Sequence, residues 1–348
     1  MLAGFPFGAE DDILTFMNDL LVGILSAVLS TNQPAAVSNL VQQKTGLTVS
    51  LPDKNDPVEI EFQKLLAEDD AAQEETDRWI TEEQKFKEQG VGLSSVTLRE
   101  RLKDRLAIVK KAYQDFLQRH PDHARAHLAY GSFLNDMGEE ELAHHYYEKG
   151  RDLDPSNPAA WNNLANWHGH NGGITNAFEF YARAIQLNPG EPIYYENLAT
   201  TVYMFRRDAT NYFKITEQQV FAMAMLMYRK AMDLDPENFI LASDYAQSYY
   251  GFSAPKSGDA AADDKAHQKY TDEALAAWQN AYRLARDDIE REGVRVHFAR
   301  FQINAGRLAE ARKNLDSVTN AMFDSTKKAL TKKLESREKE KSPTAANK

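Results

Sequence analysis

Residues 158–191 read PAAWNNLANWHGHNGGITNAFEFYARAIQLNPGE, and this stretch carries the strongest fold signal in the chain. Its first half places the large side chains of Trp161, Leu164 and His168 at positions i, i+3 and i+7. That spacing lies on one face of an α-helix, and the small residue Ala165 between them lets a second helix approach closely. Glycine at Gly172 interrupts the pattern and predicts a turn. The stretch therefore predicts two short helices joined by a tight turn.

A period of 34 residues extends this unit along the chain. Pro121, Pro155 and Pro189 are spaced by 34 residues, and Pro236 follows after 47. Within each unit an alanine precedes a large residue by four positions, at Ala143/Tyr147, Ala177/Tyr181, Ala224/Tyr228, Ala274/Trp278 and Ala311/Leu315. Because a small residue recurs against a large one in a fixed register, the chain is predicted to be a helical repeat protein.

These phrases resemble the tetratricopeptide repeat, whose pattern is W-x2-L-G-x2-Y, then A-x3-F, then P, over about 34 residues. The resemblance implies an all-α fold, a tetratricopeptide-type α-solenoid of about five helix pairs with helical N-terminal and C-terminal extensions. The repeats are expected near residues 124–157, 158–191, 192–238, 239–288 and 292–318. The third and fourth repeats contain 13 and 16 extra residues, both at the turn between the paired helices.

Three segments are expected along the chain. Residues 1–90 form an acidic, partly helical extension, residues 91–318 form the repeat array, and residues 319–348 form a charged C-terminal helix and tail. A capping box at Thr97 and Glu100 predicts the start of a leading helix. The apolar run Ile13–Leu29 is interpreted as a buried or pairing helix, with a membrane anchor or the remnant of a signal sequence as the alternative.

The composition narrows the classes of function. With 348 residues and 43% hydrophobic content, the chain can bury a substantial core. Residues 1–90 contain 17 acidic against 6 basic side chains, whereas the remainder balances 35 acids with 35 bases. Since the chain lacks the basic surface that neutralises phosphates, general nucleic-acid binding is not expected. The absence of cysteine excludes disulfides and thiolate metal sites.

The polar residues include candidates for a catalytic or metal-binding role. Seven of the nine histidines cluster along the chain, at His120, His123, His127, His144, His145, His168 and His170. The repeat register places His127 where Trp161 stands, which predicts a packing role for its ring. The sequence contains no H-E-x-x-H motif, no G-x-S-x-G motif and no phosphate-binding glycine run. No metal, no cofactor and no enzymatic activity are therefore expected.

The resemblance implies that the first helix of each repeat lines a concave groove for a partner polypeptide. The candidate groove residues are Asn162, Asn163, Asn166, Asn197, Tyr203, Asp244 and Tyr250. Amide side chains donate and accept at once, which suits an extended peptide backbone, although asparagine at this register also belongs to the repeat pattern. The first insertion, Arg206 to Thr216, adds the candidates Arg206, Arg207, Tyr212 and Phe213. Basic and aromatic side chains of this kind are typical interface anchors.

The favoured function is a non-enzymatic protein–protein interaction scaffold or adaptor in the cytoplasm, which binds a protein or peptide. The alternative is a structural assembly or cell-envelope subunit that forms a homo-oligomer through its N-terminal region, and membrane association is the less favoured form of it. Two structural expectations accompany this hypothesis. Trp161 should be a buried core residue, and the two insertions, Arg206 to Thr216 and Ser253 to Tyr270, should project from one side of the repeats.

Overall fold

The computed structural model describes residues 56–88, 95–252 and 257–341. Within these residues the chain forms fourteen α-helices and no β-strand. It divides into two compact units, Met1–Gly190 (unit 1) and Glu191–Lys348 (unit 2). The apolar run Ile13–Leu29 and the predicted linker at Gly90 lie outside the described residues. Among the described helices, none combines the length and the apolar character that crossing a membrane requires.

Unit 1 contains the first two predicted repeats as antiparallel helix pairs. Its helices are α1 (Pro57–Glu88), α2 (Ser95–Arg119), α3 (Ala124–Asp136), α4 (Glu140–Leu153), α5 (Pro158–His170) and α6 (Ile174–Leu187). Helix α3 packs on α4 and α5 packs on α6. Gly138 and Gly172 occupy the turns within these pairs with φ values of 77° and 87°. Positive φ favours glycine, which explains why the repeat pattern breaks at these residues.

The small residue of the repeat pattern brings the paired helices together. Gly131 on α3 faces Tyr147 on α4, and a Cβ atom added at Gly131 would lie 2.7 Å from the tyrosine ring. Ala143 is fully buried one helical turn before Tyr147. The predicted opposition of small and large residues is therefore confirmed in this pair, and it explains the recurrence of both types at fixed spacing.

The N-terminal helices share a core with the first repeat. Helix α1 packs against α2 and α3, and Phe62, Tyr113 and Tyr130 belong to one buried cluster. The Tyr113 hydroxyl donates to Oδ2 of Asp69 at 2.6 Å, and burial raises the pKa of Tyr113. Helix α2 begins at Ser95, so Thr97 lies inside its first turn and the predicted capping box does not mark the helix start.

Unit 2 contains the remaining three pairs. Its helices are α7 (Pro192–Met204), α8 (Arg206–Phe213), α9 (Glu217–Leu234), α10 (Phe239–Ser248), α11 (Ala260–Leu284), α12 (Asp288–Asn304), α13 (Leu308–Asp316) and α14 (Asp324–Lys341). Helix α7 packs on α9, α10 on α11, and α12 on α13. Helix α14 covers α12 and α13, with Leu330 and Leu334 in the same buried cluster as Val296 and Ile303.

The two insertions differ in structure. The first forms helix α8 between the paired helices α7 and α9, and it ends at Lys214, whose φ is 58°. The predicted capping box of Thr216 and Gln219 is confirmed at the start of α9. The second insertion is helical from Ala260 onward, since α11 begins there and Asp259 caps it. Residues 260–270 therefore lengthen the second helix of the fourth repeat.

The methionine-rich start of α9 belongs to the core. Phe221, Met223, Met225 and Met227 are each at most 1% exposed. Flexible methionine side chains fill irregular spaces between helices, which suits a helix that must pack beside an inserted one. The all-α class, with five tetratricopeptide-type helix pairs between helical extensions, is confirmed by the described helices.

Candidate partner-binding surfaces

The first helices of the repeats carry one aromatic contact in common. In unit 1 the Nε2 atom of His127 lies 2.7 Å from the carbonyl oxygen of Pro121. At the equivalent place the Nε1 atom of Trp161 donates to the carbonyl of Pro155 at 2.9 Å. His127 is 6% exposed, and burial lowers its pKa. His127 thus replaces a tryptophan in packing and in hydrogen bonding, as the repeat register predicted.

Trp161 is less buried than the sequence pattern indicated. Its side chain remains partly exposed and contacts Phe180 edge to face, with ring centroids 5.2 Å apart. Tyr195, which occupies the same repeat position in unit 2, is fully buried. The expectation that Trp161 is a core residue was therefore wrong, because one side of its indole faces solvent.

Two histidines of the second helix pair and its neighbour, His144 and His168, also contact aromatic rings. His144 stacks on Trp167 with ring centroids 3.7 Å apart, and His168 lies edge to face with Phe180 at 5.3 Å. Burial is the main cause that lowers the pKa of His168, and His144 adds to it. Within residues 56–88, 95–252 and 257–341 no group of three or more His, Asp or Glu side chains is arranged to hold a metal ion.

The predicted groove amides of unit 1 lie among other side chains of the unit. Asn162 is only 7% exposed. Asn163 donates to the hydroxyl of Ser132 at 3.4 Å, and Asn166 accepts from the hydroxyl of Tyr181 at 2.6 Å. An amide that is already hydrogen-bonded inside the unit gains little from a new partner, since one bond must be exchanged for another.

The bond between Tyr181 and Asn166 recurs through the repeats. Tyr147 bonds to Ser132 in the preceding repeat, and in unit 2 the hydroxyl of Tyr228 lies 2.8 Å from Oγ1 of Thr200. In each case the tyrosine of the second helix reaches a polar side chain of the first helix. The hydrophobic pattern alone does not predict this contact. Its signal in the sequence is a tyrosine at a place where phenylalanine would satisfy the pattern equally well.

In unit 2 the predicted groove residues Tyr203 and Tyr250 lie near the ends of their helical segments. A Cβ atom at Gly251 would collide with the hydroxyl of Tyr203, so the end of α7 and the segment after α10 are in close contact. The Tyr250 hydroxyl lies 2.8 Å from Nδ1 of His297 on α12. Tyr203 and Tyr250 are both partly buried. The contacts place both rings at one end of α7 and α10.

Tyr250 belongs to an aromatic cluster that the repeat pattern does not predict. Its ring stacks on Phe301 at 4.7 Å, while the ring of His297 lies parallel to Trp278 at 4.0 Å. Burial lowers the pKa of His297 to about 4, so this imidazole is neutral at pH 7. The guanidinium carbon of Arg300 lies 5.4 Å from the centre of the Tyr250 ring. The cluster fixes the position of the Tyr250 ring.

Two carboxylates lie between the ends of α7 and α10. Glu196 on α7 and Asp244 on α10 are partly buried, and no Lys or Arg of the described residues forms an ion pair with either. Burial raises the pKa of both, and the charge of Asp244 raises the pKa of Glu196 further. Asp244 was among the predicted groove residues, whereas Glu196 was missed. Asn197, the neighbouring candidate, is partly buried.

Exposed apolar side chains share the face that carries these carboxylates. Ile193 and Met204 on α7 are 41% and 65% exposed, and Ile240 on α10 is 55% exposed. Ile193, Glu196 and Met204 lie at i, i+3 and i+11, which is one face of a helix. Ile240 and Asp244 are four residues apart on α10. We call the exposed side of these helices the α7–α10 face; it comprises Ile193, Glu196, Thr200, Met204, Ile240, Asp244 and Gln247.

The predicted insertion residues have different surroundings. Arg206 bonds to Glu217 at 3.2 Å and donates to the carbonyl oxygen of Tyr203 at 3.0 Å. Arg207 is exposed and Tyr212 is partly buried. Phe213 is only 4% exposed. The ring of Phe213 therefore lies in the core beneath α8, where a partner cannot reach it.

An open cleft of about 500 Å³ lies along the insertion helix. It is lined by Met204, Phe205, Arg206, Arg207, Asp208, Thr210, Asn211 and Glu217. Met204 belongs to both this cleft and the α7–α10 face. Arg206 also lies beside Gly251, two residues before the second insertion begins. The first insertion is thus continuous with one end of the α7–α10 face.

Comparison with known proteins gives similarities of structure. Neither a protein-family model nor a curated protein matches the sequence. The chain is similar in structure to YrrB, a solved TPR protein described as having an unusual peptide-binding site. The two sequences are 13% identical, the match covers 64% of this chain and 99% of YrrB, and the TM-score is 0.46. For PilF of Pseudomonas aeruginosa the identity is 15%, the covered shares are 70% and 90%, and the TM-score is 0.46.

A third similar structure is the C-terminal part of a TPR repeat-containing protein from Cytophaga hutchinsonii. The two sequences are 12% identical, the match covers 80% of this chain and 99% of the Cytophaga chain, and the TM-score is 0.47. The repeat type of the present chain rests on its own helix pairs and their 34-residue register.

Proposed function

We propose that this protein is a non-enzymatic interaction scaffold that binds a segment of a partner polypeptide on the α7–α10 face. The observation that carries the proposal is the set of exposed apolar side chains, Ile193, Met204 and Ile240, on the same sides of two neighbouring first helices. Exposed apolar side chains grouped on one surface are a common mark of a protein-binding site. Partly buried Tyr203 and Tyr250 border the surface and supply rigid amphipathic area.

This site keeps part of the predicted groove and changes the rest. Tyr203, Asp244 and Tyr250 lie on or beside the α7–α10 face, whereas Asn163 and Asn166 are hydrogen-bonded within unit 1. The exposed part of the insertion, with Arg207 and Tyr212, extends the proposed surface at the end where Met204 lies. Buried Phe213 supports the insertion helix and is not part of the proposed binding surface.

The test is capture of partner proteins on the immobilised full-length chain, with the bound proteins identified by mass spectrometry. Met204→Arg combined with Gln247→Arg places two bulky charges on the α7–α10 face. The matched control, Met322→Arg combined with Gln268→Arg, changes exposed residues elsewhere in unit 2. A partner retained by the control and lost by the face variant supports the proposal. Equal retention by both variants would place the binding surface elsewhere.

Self-association through the N-terminal region is a second candidate function. Helix α1 exposes Ile60, Ile80 and Phe86 at 43%, 38% and 49%. A second copy of the chain would cover these side chains. Light scattering of the wild type and of Ile80→Glu with Phe86→Glu tests this candidate, which requires an oligomer that the substitutions dissociate. A monomer at all concentrations would reject it.

A further inference from the structure

The α7–α10 face has a distinctive order of chemical groups. Ile193 and Ile240 are each the second residue of their helix, so they lie at one end of the face. Met204 lies at the other end, and eleven residues of helix separate it from Ile193, a length of about 16 Å. Glu196 and Asp244 lie between these apolar ends. The face is thus apolar, then acidic, then apolar.

The acidic centre is not neutralised by the chain itself. Glu196 and Asp244 are partly buried, and neither forms an ion pair with a Lys or Arg of the described residues. Two described cations lie over aromatic rings of α10 and the segment that follows it, Arg286 over Phe239 and Arg300 over Tyr250. Arg286 forms its ion pair with Glu290, and neither cation forms one with Glu196 or Asp244. Removing carboxylates from water without a partner is unfavourable, and a cationic side chain that bonds to them would offset this.

The hydrogen-bonding groups around the two carboxylates favour a cationic ligand. Tyr228 and Thr200 bond to each other, so their hydroxyl groups are already used within the unit. Glu196 on α7 stands at the repeat position of Asn162, and Asp244 on α10 stands at that of Asn163, so a carboxylate replaces an amide at each of these two places. An ionised carboxylate accepts hydrogen bonds and donates none. A guanidinium or ammonium group supplies donors and the opposite charge together.

We propose that the α7–α10 face selects polypeptide segments in which a lysine or arginine is flanked by apolar residues. The basic side chain bonds to Glu196 and Asp244, and the apolar neighbours cover Ile193 and Ile240 on one side and Met204 on the other. This inference rests on the proposed function, because it specifies the chemistry of the segment that the face binds. The span of about 16 Å fits about five residues of extended chain.

Three fluorescein-labelled peptide libraries test the selectivity. Each contains nine-residue peptides with a fixed central residue, Lys, Glu or Ala, between positions occupied by Leu, Ile, Val, Ala or Ser. Binding to the full-length chain is measured by fluorescence polarisation at low and at physiological salt. The Lys library should bind about tenfold more tightly than the Glu library, since a like charge opposite two carboxylates is repelled.

Isosteric neutral variants separate the charge from the shape of the face. Glu196→Gln combined with Asp244→Asn should reduce the preference for the Lys library to less than about threefold. The matched control, Asp264→Asn with Glu335→Gln, removes two exposed carboxylates elsewhere in unit 2 and should leave the preference unchanged. Circular dichroism spectra that match the wild type confirm that both double variants are folded.

The outcomes distinguish this inference from the proposed function. Binding of all three libraries with equal affinity, or a preference that survives Glu196→Gln with Asp244→Asn, overturns the selectivity and leaves the scaffold function intact. A preference lost equally in both double variants also overturns it, because net charge would then be the cause. If no library binds while Met204→Arg with Gln247→Arg abolishes partner capture, the basic segment is rejected and the face remains the docking site.

Discussion

Helix α5 of unit 1 and helices α7 and α10 of unit 2 are first helices of their repeats. They follow the same repeat register, but their polar side chains differ in whether they form hydrogen bonds within the unit. In α5, Asn163 and Asn166 are hydrogen-bonded to Ser132 and Tyr181. In unit 2 the equivalent of Asn163 on α10 is Asp244, which has no ion-pair partner among the described residues. At this register the amide of Asn163 joins α5 to α3, and we propose that the carboxylate of Asp244 serves a cationic partner instead.

The two regions also differ in how strictly they keep the repeat length. Both repeats of unit 1 have 34 residues, whereas the third repeat accommodates α8 between its paired helices. The insertion leaves the pair intact, because α7 still packs directly on α9. Extra chain at a helix-pair turn changes the surface beside the α7–α10 face without changing the pair. The residues that hold a helix pair together are therefore different from the inserted residues that change the surface beside it.

The largest expected effect contrasts equivalent aromatic residues of the two units. Tyr195→Ala should lower the free energy of unfolding by about 3–5 kcal/mol, because the ring is fully buried. Trp161→Ala should lower it by about 1–2 kcal/mol, since the indole is partly exposed and loses one hydrogen bond to Pro155. Urea denaturation followed by circular dichroism measures both. If both substitutions lower the free energy of unfolding equally, the difference in burial between Tyr195 and Trp161 does not affect stability.

The next effect concerns glycines inside the first helices of unit 1. Gly131→Ala should destabilise the protein by about 1–3 kcal/mol, because its Cβ would lie 2.7 Å from the Tyr147 ring. Gly169→Ala should stabilise it by about 0.5–1 kcal/mol, since the added Cβ would meet no atom of another helix within 4 Å and alanine favours helix. Thermal melting compares the two. Shifts of the same sign would contradict the close approach of α3 and α4.

A smaller effect tests the tyrosine bond that both units share. Tyr181→Phe removes the donor to Asn166, and Tyr228→Phe removes the partner of Thr200. Each should cost about 1 kcal/mol, the usual net value of a hydrogen bond in a folded protein. Asn166 is partly buried, whereas Thr200 is exposed and can bond to water once its partner is removed, so Tyr181→Phe should be the more costly of the two. Chemical denaturation of the two single variants and the wild type provides the comparison.

The smallest expected effect concerns pH and the two carboxylates. Burial raises the pKa of Glu196 and Asp244 in the folded protein, so the folded state holds these protons more tightly than the unfolded chain does. The two carboxyl groups favour the folded state most at a pH below their pKa values in the unfolded chain. This contribution to the free energy of unfolding is lost as the pH rises through their pKa values in the folded protein. Glu196→Gln with Asp244→Asn should therefore raise the melting temperature at pH 7 and have less effect at pH 4.

Asp264→Asn with Glu335→Gln provides the control for this pH dependence, because both side chains are exposed. The control should change the melting temperature little at either pH. If it raises the melting temperature at pH 7 as much as the face variant does, the effect comes from net charge and the two carboxylates have no special environment.

Several features of the site follow from the sequence because they depend on local register. The equivalence of His127 and Trp161 is one example, since both are placed by their distance from a proline and both bond to its carbonyl group. The capping box of Thr216 and Gln219 is another, because its two hydrogen bonds join residues three apart. Contacts between residues close in sequence are fixed by helix geometry, which the pattern specifies.

The sequence by itself determined the repeat length, the pairing of helices and the place of the first insertion, because these depend on the spacing of apolar residues and glycines. Tertiary structure alone decided that Phe213 is buried, that Trp161 is partly exposed and that Glu196 and Asp244 influence one another across two helices. Burial and charge environment depend on atoms contributed by other helices. A one-dimensional pattern specifies which face a residue occupies and leaves open what covers that face.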